Sequence, residues 1–130
     1  MLGPGTIGLL VAQIAVARAV EVHILGRGTQ SLRFARSLGF EQAWSAETLP
    51  SLRFDAVVDA SNAPALPALA LDLVEPGRRV VYVGLAGAPS LIDTRTIALK
   101  DVTAVGVLSA SGGLAETIDL YARGPVDPRR

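Results

Sequence analysis

The sequence predicts an α/β fold: an open, mainly parallel, doubly wound sheet with helices on both faces. Three observations predict it. Strand and helix patterns alternate along the chain at the spacing of βαβ units. The strand runs are mainly apolar, which suits a sheet covered by helices on both faces. A glycine-rich turn opens the chain and leads straight into a helical pattern. The 130 residues suffice for one domain with its own core and are too few for two. Half of them are apolar and 18% are charged, which excludes a disordered chain.

The elements follow in order. After Gly3-Pro4-Gly5-Thr6-Ile7-Gly8, apolar residues at Ile7, Leu10, Val11 and Ile14 recur at helical spacing and predict a helix from Thr6 to Val20. Val22 to Leu25 reads as a short strand ended by Gly26-Arg27-Gly28. Ser31 is placed to cap a helix from Leu32 to Leu38, with Gly39 as its stop. Phe40 to Trp44 is a weaker strand pattern, and Phe54 to Asp59 a clear one. Ser61 and Asn62 offer a cap for a helix marked by Leu66, Leu69, Ala70 and Leu73, whose regular part begins near Pro67. Glu75-Pro76-Gly77 reads as a turn. Arg79 to Val83 reads as a covered strand ended by Gly84. Thr103 to Leu108 is the last strand and Leu114 to Tyr121 the last helix, before a loop-like tail with Pro125 and Pro128.

Composition removes several function classes. Twelve basic and twelve acidic residues balance to zero, which argues against a nucleic-acid binder that works by neutralising phosphates. Without cysteine there is no disulfide framework, thiol nucleophile or thiolate metal site. A single histidine leaves no His-rich metal cluster. The longest apolar stretch, Ile7 to Ala17, is shorter than the roughly 20 residues of a bilayer span. A glycine turn stands where a signal peptide would carry basic residues. A cytoplasmic protein without a membrane partner is the expectation.

Gly3-x-Gly5-x-x-Gly8 has the spacing of a dinucleotide-binding fingerprint. Its glycines serve a tight turn, approach of the pyrophosphate to backbone, and close packing of the helix. The following helix directs its free N–H groups and positive dipole end at the phosphates. Sites that bind NAD commonly carry an acidic residue about 20 positions further on, for the ribose 2′-hydroxyl. Here Gly26 and then Arg27 occupy that region. Glycine leaves room for a 2′-phosphate and arginine can pair with it, so NADP is favoured over NAD. If Arg27 is only a solvated loop residue, either cofactor fits.

Together these residues resemble the coenzyme-binding domain of zinc-type medium-chain dehydrogenases/reductases, the alcohol dehydrogenase family. The resemblance is carried by residues 3–8, by Phe-Ala-Arg-Ser-Leu-Gly at 34–39, by Phe-Asp-Ala-Val-Val-Asp-Ala-Ser at 54–61, and by Glu-Pro-Gly-Arg-Arg-Val-Val-Tyr-Val-Gly at 75–84. It implies a Rossmann-type fold and a nicotinamide dinucleotide. It implies that Ile7 sits behind the nicotinamide and that Ala60 and Ser61 lie on the adenosine side. The backbones around Val83, Gly84, Val107 and Ser109 are implied to meet the carboxamide. In the family, zinc on a separate catalytic domain polarises a small alcohol or carbonyl substrate, and hydride passes to or from the nicotinamide. No residue of this chain matches that zinc site.

The family fingerprint follows a full central strand, whereas only Met1 and Leu2 precede Gly3 here. The expectation is therefore a fragment with a truncated first strand, poorly soluble on its own, in which two strand edges face a gap. By resemblance, the strand from Thr103 pairs with its twin in a homodimer or higher homo-oligomer. The remaining polar residues carry less. His23 in a strand reads as structural. Asp55 and Asp59 need not form an acid–base pair, though Asp59, at its strand's end, is a candidate to face the cofactor cleft. Ser109 and Ser111 with Gly112-Gly113 read equally as a loop over the nicotinamide or a helix cap. Arg33 and Arg36 read as a solvated helix face, and Tyr121 as packing. Three other readings stay open: a zinc-free quinone-reductase-type member, a non-catalytic dinucleotide sensor, and a methyltransferase sharing the glycine-rich turn.

Overall fold

The computed structural model describes residues 1–109, 112–124 and 126–127. Its elements in chain order are α1 (Thr6–Ala17), β1 (Ile24–Leu25), α2 (Thr29–Ser37), β2 (Ala43–Trp44), β3 (Phe54–Asp59), α3 (Leu66–Leu73), β4 (Val74–Tyr82), α4 (Thr94–Leu99), β5 (Thr103–Gly106) and α5 (Leu114–Arg123). Every named strand pairing is parallel. The predicted α/β class is therefore the observed one.

Strands β1 and β2 form one pair and β3-β4-β5 a three-stranded sheet. Leu2 joins them. It bridges Leu25 on one side and Asp59 on the other. Its N–H donates to the Val58 carbonyl at 2.8 Å, and its carbonyl accepts from Ala60 N–H at 2.9 Å. On the other side, Gly3 N–H donates to Leu25 O at 2.9 Å and Leu25 N–H to Met1 O at 2.8 Å. The spatial order is thus β2-β1-Leu2-β3-β4-β5. The truncated first strand is thus a short one: Met1 to Gly3 pair along β1 and with the C-terminal end of β3, which narrows the expected gap at the level of the fingerprint without extending along the rest of β3.

The two faces of the sheet carry separate apolar clusters. Leu9, Ala12, Leu32 and Ala35 from α1 and α2 pack with Ile24 and Ala43. Ala70 and Leu71 from α3 pack with Leu2, Leu25, Val57 and Val80 on the other. Ile24 and Leu25 are adjacent yet join different clusters, because successive strand side chains point to opposite faces. That split is the doubly wound arrangement the apolar strand runs predict.

Several boundaries differ from prediction. Helix α1 stops at Ala17 because Ala19 adopts a left-handed φ of 59°. β1 keeps only two of its four predicted residues. The α2 N-cap is Gly28, and Ser31 lies inside the first turn, where its hydroxyl donates to Gly28 O at 2.9 Å. Likewise Ala65, not Ser61 or Asn62, precedes α3, and Pro67 fits its first turn. The Glu75-Pro76-Gly77 turn is embedded in β4 as an irregularity: Phe54 pairs with Val74, but Ala56 pairs with Arg79. Gly77 takes φ 73° there.

Helix α4 has no counterpart in the prediction, since six residues show no full helical period; the Asp93 carboxylate caps it by accepting from Arg95 N–H at 3.0 Å. β5 ends at Gly106, not Leu108, and α5 runs on to Arg123, closed by Gly124 at φ 80°. Arg36 is not merely solvated, because its guanidinium donates to the Ala43 carbonyl. Ser111, Pro125 and Pro128 lie outside the described residues. No helix among the described residues is long and apolar enough to cross a membrane.

Candidate functional site

The C-terminal ends of the parallel strands meet around a cleft of about 710 Å³. In open α/β sheets ligands bind at this end, where the strand order reverses. Ten of the residues named from the sequence line it: Gly3, Pro4, Gly5, Ile7, Gly26, Arg27, Ala60, Ser61, Val83 and Gly84.

Each fingerprint glycine has a different environment. Gly3 has φ 90°, and a Cβ there would stand 3.0 Å from Ser61 Cα and 3.1 Å from Ala60 O. Its turn therefore needs glycine for conformation and for close approach. Gly8 is buried, and a Cβ on it would overlap the Gly3 carbonyl oxygen, so it packs helix against turn. Gly5 is the opposite case, with nothing within 4 Å of a Cβ position. It is the N-cap of α1, with no side-chain cap and no acidic residue in the first turn. That leaves a helix N-terminus suited to an anion.

The far wall is held by Asp59, the one buried polar or charged residue among those described, at 3% exposure. Its Oδ1 accepts from Ser61 N–H at 2.9 Å. Its carbonyl accepts from Val83 N–H at 2.8 Å and Gly84 N–H at 2.9 Å. The carboxylate thus sits behind the cleft wall and does not line the cleft, contrary to the possibility that it faces a ligand. Beside it, burial first and the Asp59 charge second raise the Tyr82 phenol above its ordinary pKa. Tyr82 accordingly stays a donor, to Pro67 O at 3.0 Å.

Gly26 is buried, and the space beside it is not open. A Cβ there would meet the Pro4 ring at 2.6 and 2.8 Å. The room expected at this position is taken by Pro4, so no side chain projects from Gly26 while that ring is in place. Arg27 is exposed and is the sole charged residue lining the cleft among those described.

Four named residues do not line the cleft. Thr6 is exposed at the first helical position, and Gly8 is buried in the first turns of α1 against the Gly3 turn. Val107 is tied by its N–H to Tyr82 O at 2.9 Å, and Ser109 is exposed beyond β5. Conversely Ser31, Asn62, Leu66, Leu69 and Leu85 line it and carry no motif of their own. Only their position next to motif residues or on a helix face was available to find them. His23 is structural. Trp44 Nε1 donates to its Nδ1 at 3.1 Å, which assigns the proton to Nε2, facing Glu21 Oε1 at 3.0 Å. Its ring also packs on Phe54 with centroids 5.2 Å apart. Among the described residues no group of three or more His, Cys, Asp or Glu side chains could hold a metal ion.

Fold and cleft together define a Rossmann-type α/β domain. The sequence model of the zinc-binding dehydrogenases matches residues 6–123, and the chain belongs to that family. Solved structures agree. An alcohol dehydrogenase from Thermus sp. ATN1 is 27% identical with a TM-score of 0.84 over 98% of this chain and 40% of its own. Acetophenone reductase from Geotrichum candidum, in complex with NAD, is 25% identical with a TM-score of 0.85 over 98% of this chain and 38% of its own. A zinc-binding dehydrogenase from Sinorhizobium meliloti bound to NADP is 21% identical with a TM-score of 0.82, covering 97% and 41%. The chain thus spans about two fifths of each of these proteins.

Proposed function

We propose that residues 1–130 form the NAD(P)-binding unit of a zinc-dependent alcohol dehydrogenase-like oxidoreductase, with NADP favoured. The observation that carries this reading is the open position at Gly5, on an uncapped helix N-terminus, in a cleft whose one charged lining residue among those described is Arg27. The pyrophosphate fits against Gly5 and the first turn of α1, and Arg27 pairs with a 2′-phosphate. No carboxylate at Gly26 competes for that position. NAD on the Geotrichum enzyme and NADP on the Sinorhizobium protein support the cofactor class and leave the choice to these residues.

Bound there, the dinucleotide supplies hydride transfer to or from a small alcohol or carbonyl compound. The chain supplies binding and orientation. Having no cysteine and no ligand cluster among its described residues, it leaves a catalytic zinc to residues elsewhere. The same reading has the protein act in the cytoplasm as a homodimer or higher homo-oligomer. Thr103 and Ala104 on the outer strand β5 are exposed, and a free strand edge is a template for pairing.

Titration of the intact protein with NADPH, NADH and S-adenosylmethionine tests the reading. NADPH is expected to bind saturably and most tightly; binding of S-adenosylmethionine alone overturns it. Arg27→Ala is expected to weaken NADPH roughly 10- to 100-fold, the loss of a charge-assisted contact, and to change NADH by less than about threefold. Equal losses for both cofactors would remove Arg27 from the 2′-phosphate.

A further inference from the structure

We propose that Asp59 is the positioning residue of the cleft, acting through one hydrogen bond to Ser61 N–H that sets the wall opposite the glycine turn. This rests on the dinucleotide reading above. Parallel pairing already holds β3 in the sheet, with Asp59 opposite Tyr82 and bridged to Leu2. The carboxylate is not needed for that. Burying a carboxylate is costly, and an apolar side chain would fill the same space without that cost. What this one does is turn the chain at 60–61 and hold an amide there, at 2.9 Å.

Three surfaces converge on that turn. Gly3 approaches Ser61 Cα so closely that a Cβ would stand at 3.0 Å. Gly84 approaches the Ser61 backbone from the other side, with a Cβ position 2.6 Å from Ser61 N and overlapping the Ser61 oxygen. Ala60 N–H is tied to Leu2 O at 2.9 Å. The fingerprint turn, the 60–61 turn and the Val83-Gly84 loop therefore form one stack, and all three line the cleft. Asp59 acts on two of them at once, through its carboxylate to Ser61 and its carbonyl to Val83 and Gly84. Releasing the Ser61 amide frees the middle layer, so the cleft changes shape while the sheet keeps its pairing.

The test compares Asp59→Asn, which keeps an oxygen acceptor at the same place, with Asp59→Ala, which removes it. NADPH affinity and hydrogen exchange at the Ser61 amide are measured in the intact protein. In Asp59→Ala the Ser61 amide is expected to exchange faster and NADPH to bind about tenfold or more weakly. Asp59→Asn is expected to restore both to within about threefold of the parent. Asp59→Val, apolar and closer in volume to aspartate than the larger aliphatic residues, takes the place of the alanine variant if that one does not fold. Unchanged Ser61 exchange in Asp59→Ala or Asp59→Val overturns the proposal, whatever the cofactor. So does an asparagine variant as impaired as alanine, since charge and not the hydrogen bond would then matter. A parent protein that binds no dinucleotide overturns the cofactor reading instead, and the exchange measurement still decides the role of Asp59.

Discussion

Gly84→Ala is expected to destabilise the protein by about 1–3 kcal/mol and to weaken NADPH binding at least tenfold. Gly84 does not take a left-handed conformation, so the effect is not one of backbone freedom. It is steric: the added methyl overlaps the Ser61 carbonyl oxygen and stands 2.6 Å from Ser61 N and 2.7 Å from Ser61 C. These are backbone atoms, which cannot swing aside as the end of a long side chain can. Either the 83–84 loop or the 60–61 turn must move, and both line the cleft. Gly87→Ala is the control. Nothing lies within 4 Å of its Cβ position, so it is expected to stay within about 0.5 kcal/mol of the parent. Urea unfolding and NADPH titration of both variants check this; a stable, tight-binding Gly84→Ala would show that the two loops are not in register.

The parts of the fold legible in the sequence were those encoded by local pattern. The period of Ile7, Leu10, Val11 and Ile14 marked α1, and the apolar runs marked strands buried on both faces. The glycine spacing marked the turn at Gly3 and the packing at Gly8. The rest depended on contacts that no periodicity records. Nothing local says that the Pro4 ring fills the space at Gly26, twenty-two positions away in the chain. Nothing local says that Leu2 alone pairs with strands on both sides. Glu75-Pro76-Gly77 carries turn residues, but pairing with β3 resumes beyond it at Arg79 and makes it an irregularity inside β4. Asp59 shows the same limit at the site. Its place at a strand end suggested a view of the ligand, whereas the turn it caps folds over it.

Gly5→Asp is expected to weaken NADPH at least 100-fold while leaving thermal stability unchanged or slightly higher. The two effects separate because Gly5 answers to ligand space alone. Its φ of −86° and ψ of −177° suit any residue, and a Cβ meets nothing within 4 Å. Aspartate is a better N-cap than glycine, by a few tenths of a kcal/mol, so the fold does not suffer. Its carboxylate, however, takes the α1 amides that an anion needs and places a negative charge against the pyrophosphate. At about 4 Å and an effective dielectric of about 20, that repulsion reaches about 4 kcal/mol. A hundredfold loss needs only about 2.8 kcal/mol. The charge component can be read separately. Gly5→Ala adds the bulk without the charge, and the difference between the two variants should shrink as salt is raised. An aspartate variant that melts like the parent and still binds NADPH normally would move the pyrophosphate away from this helix.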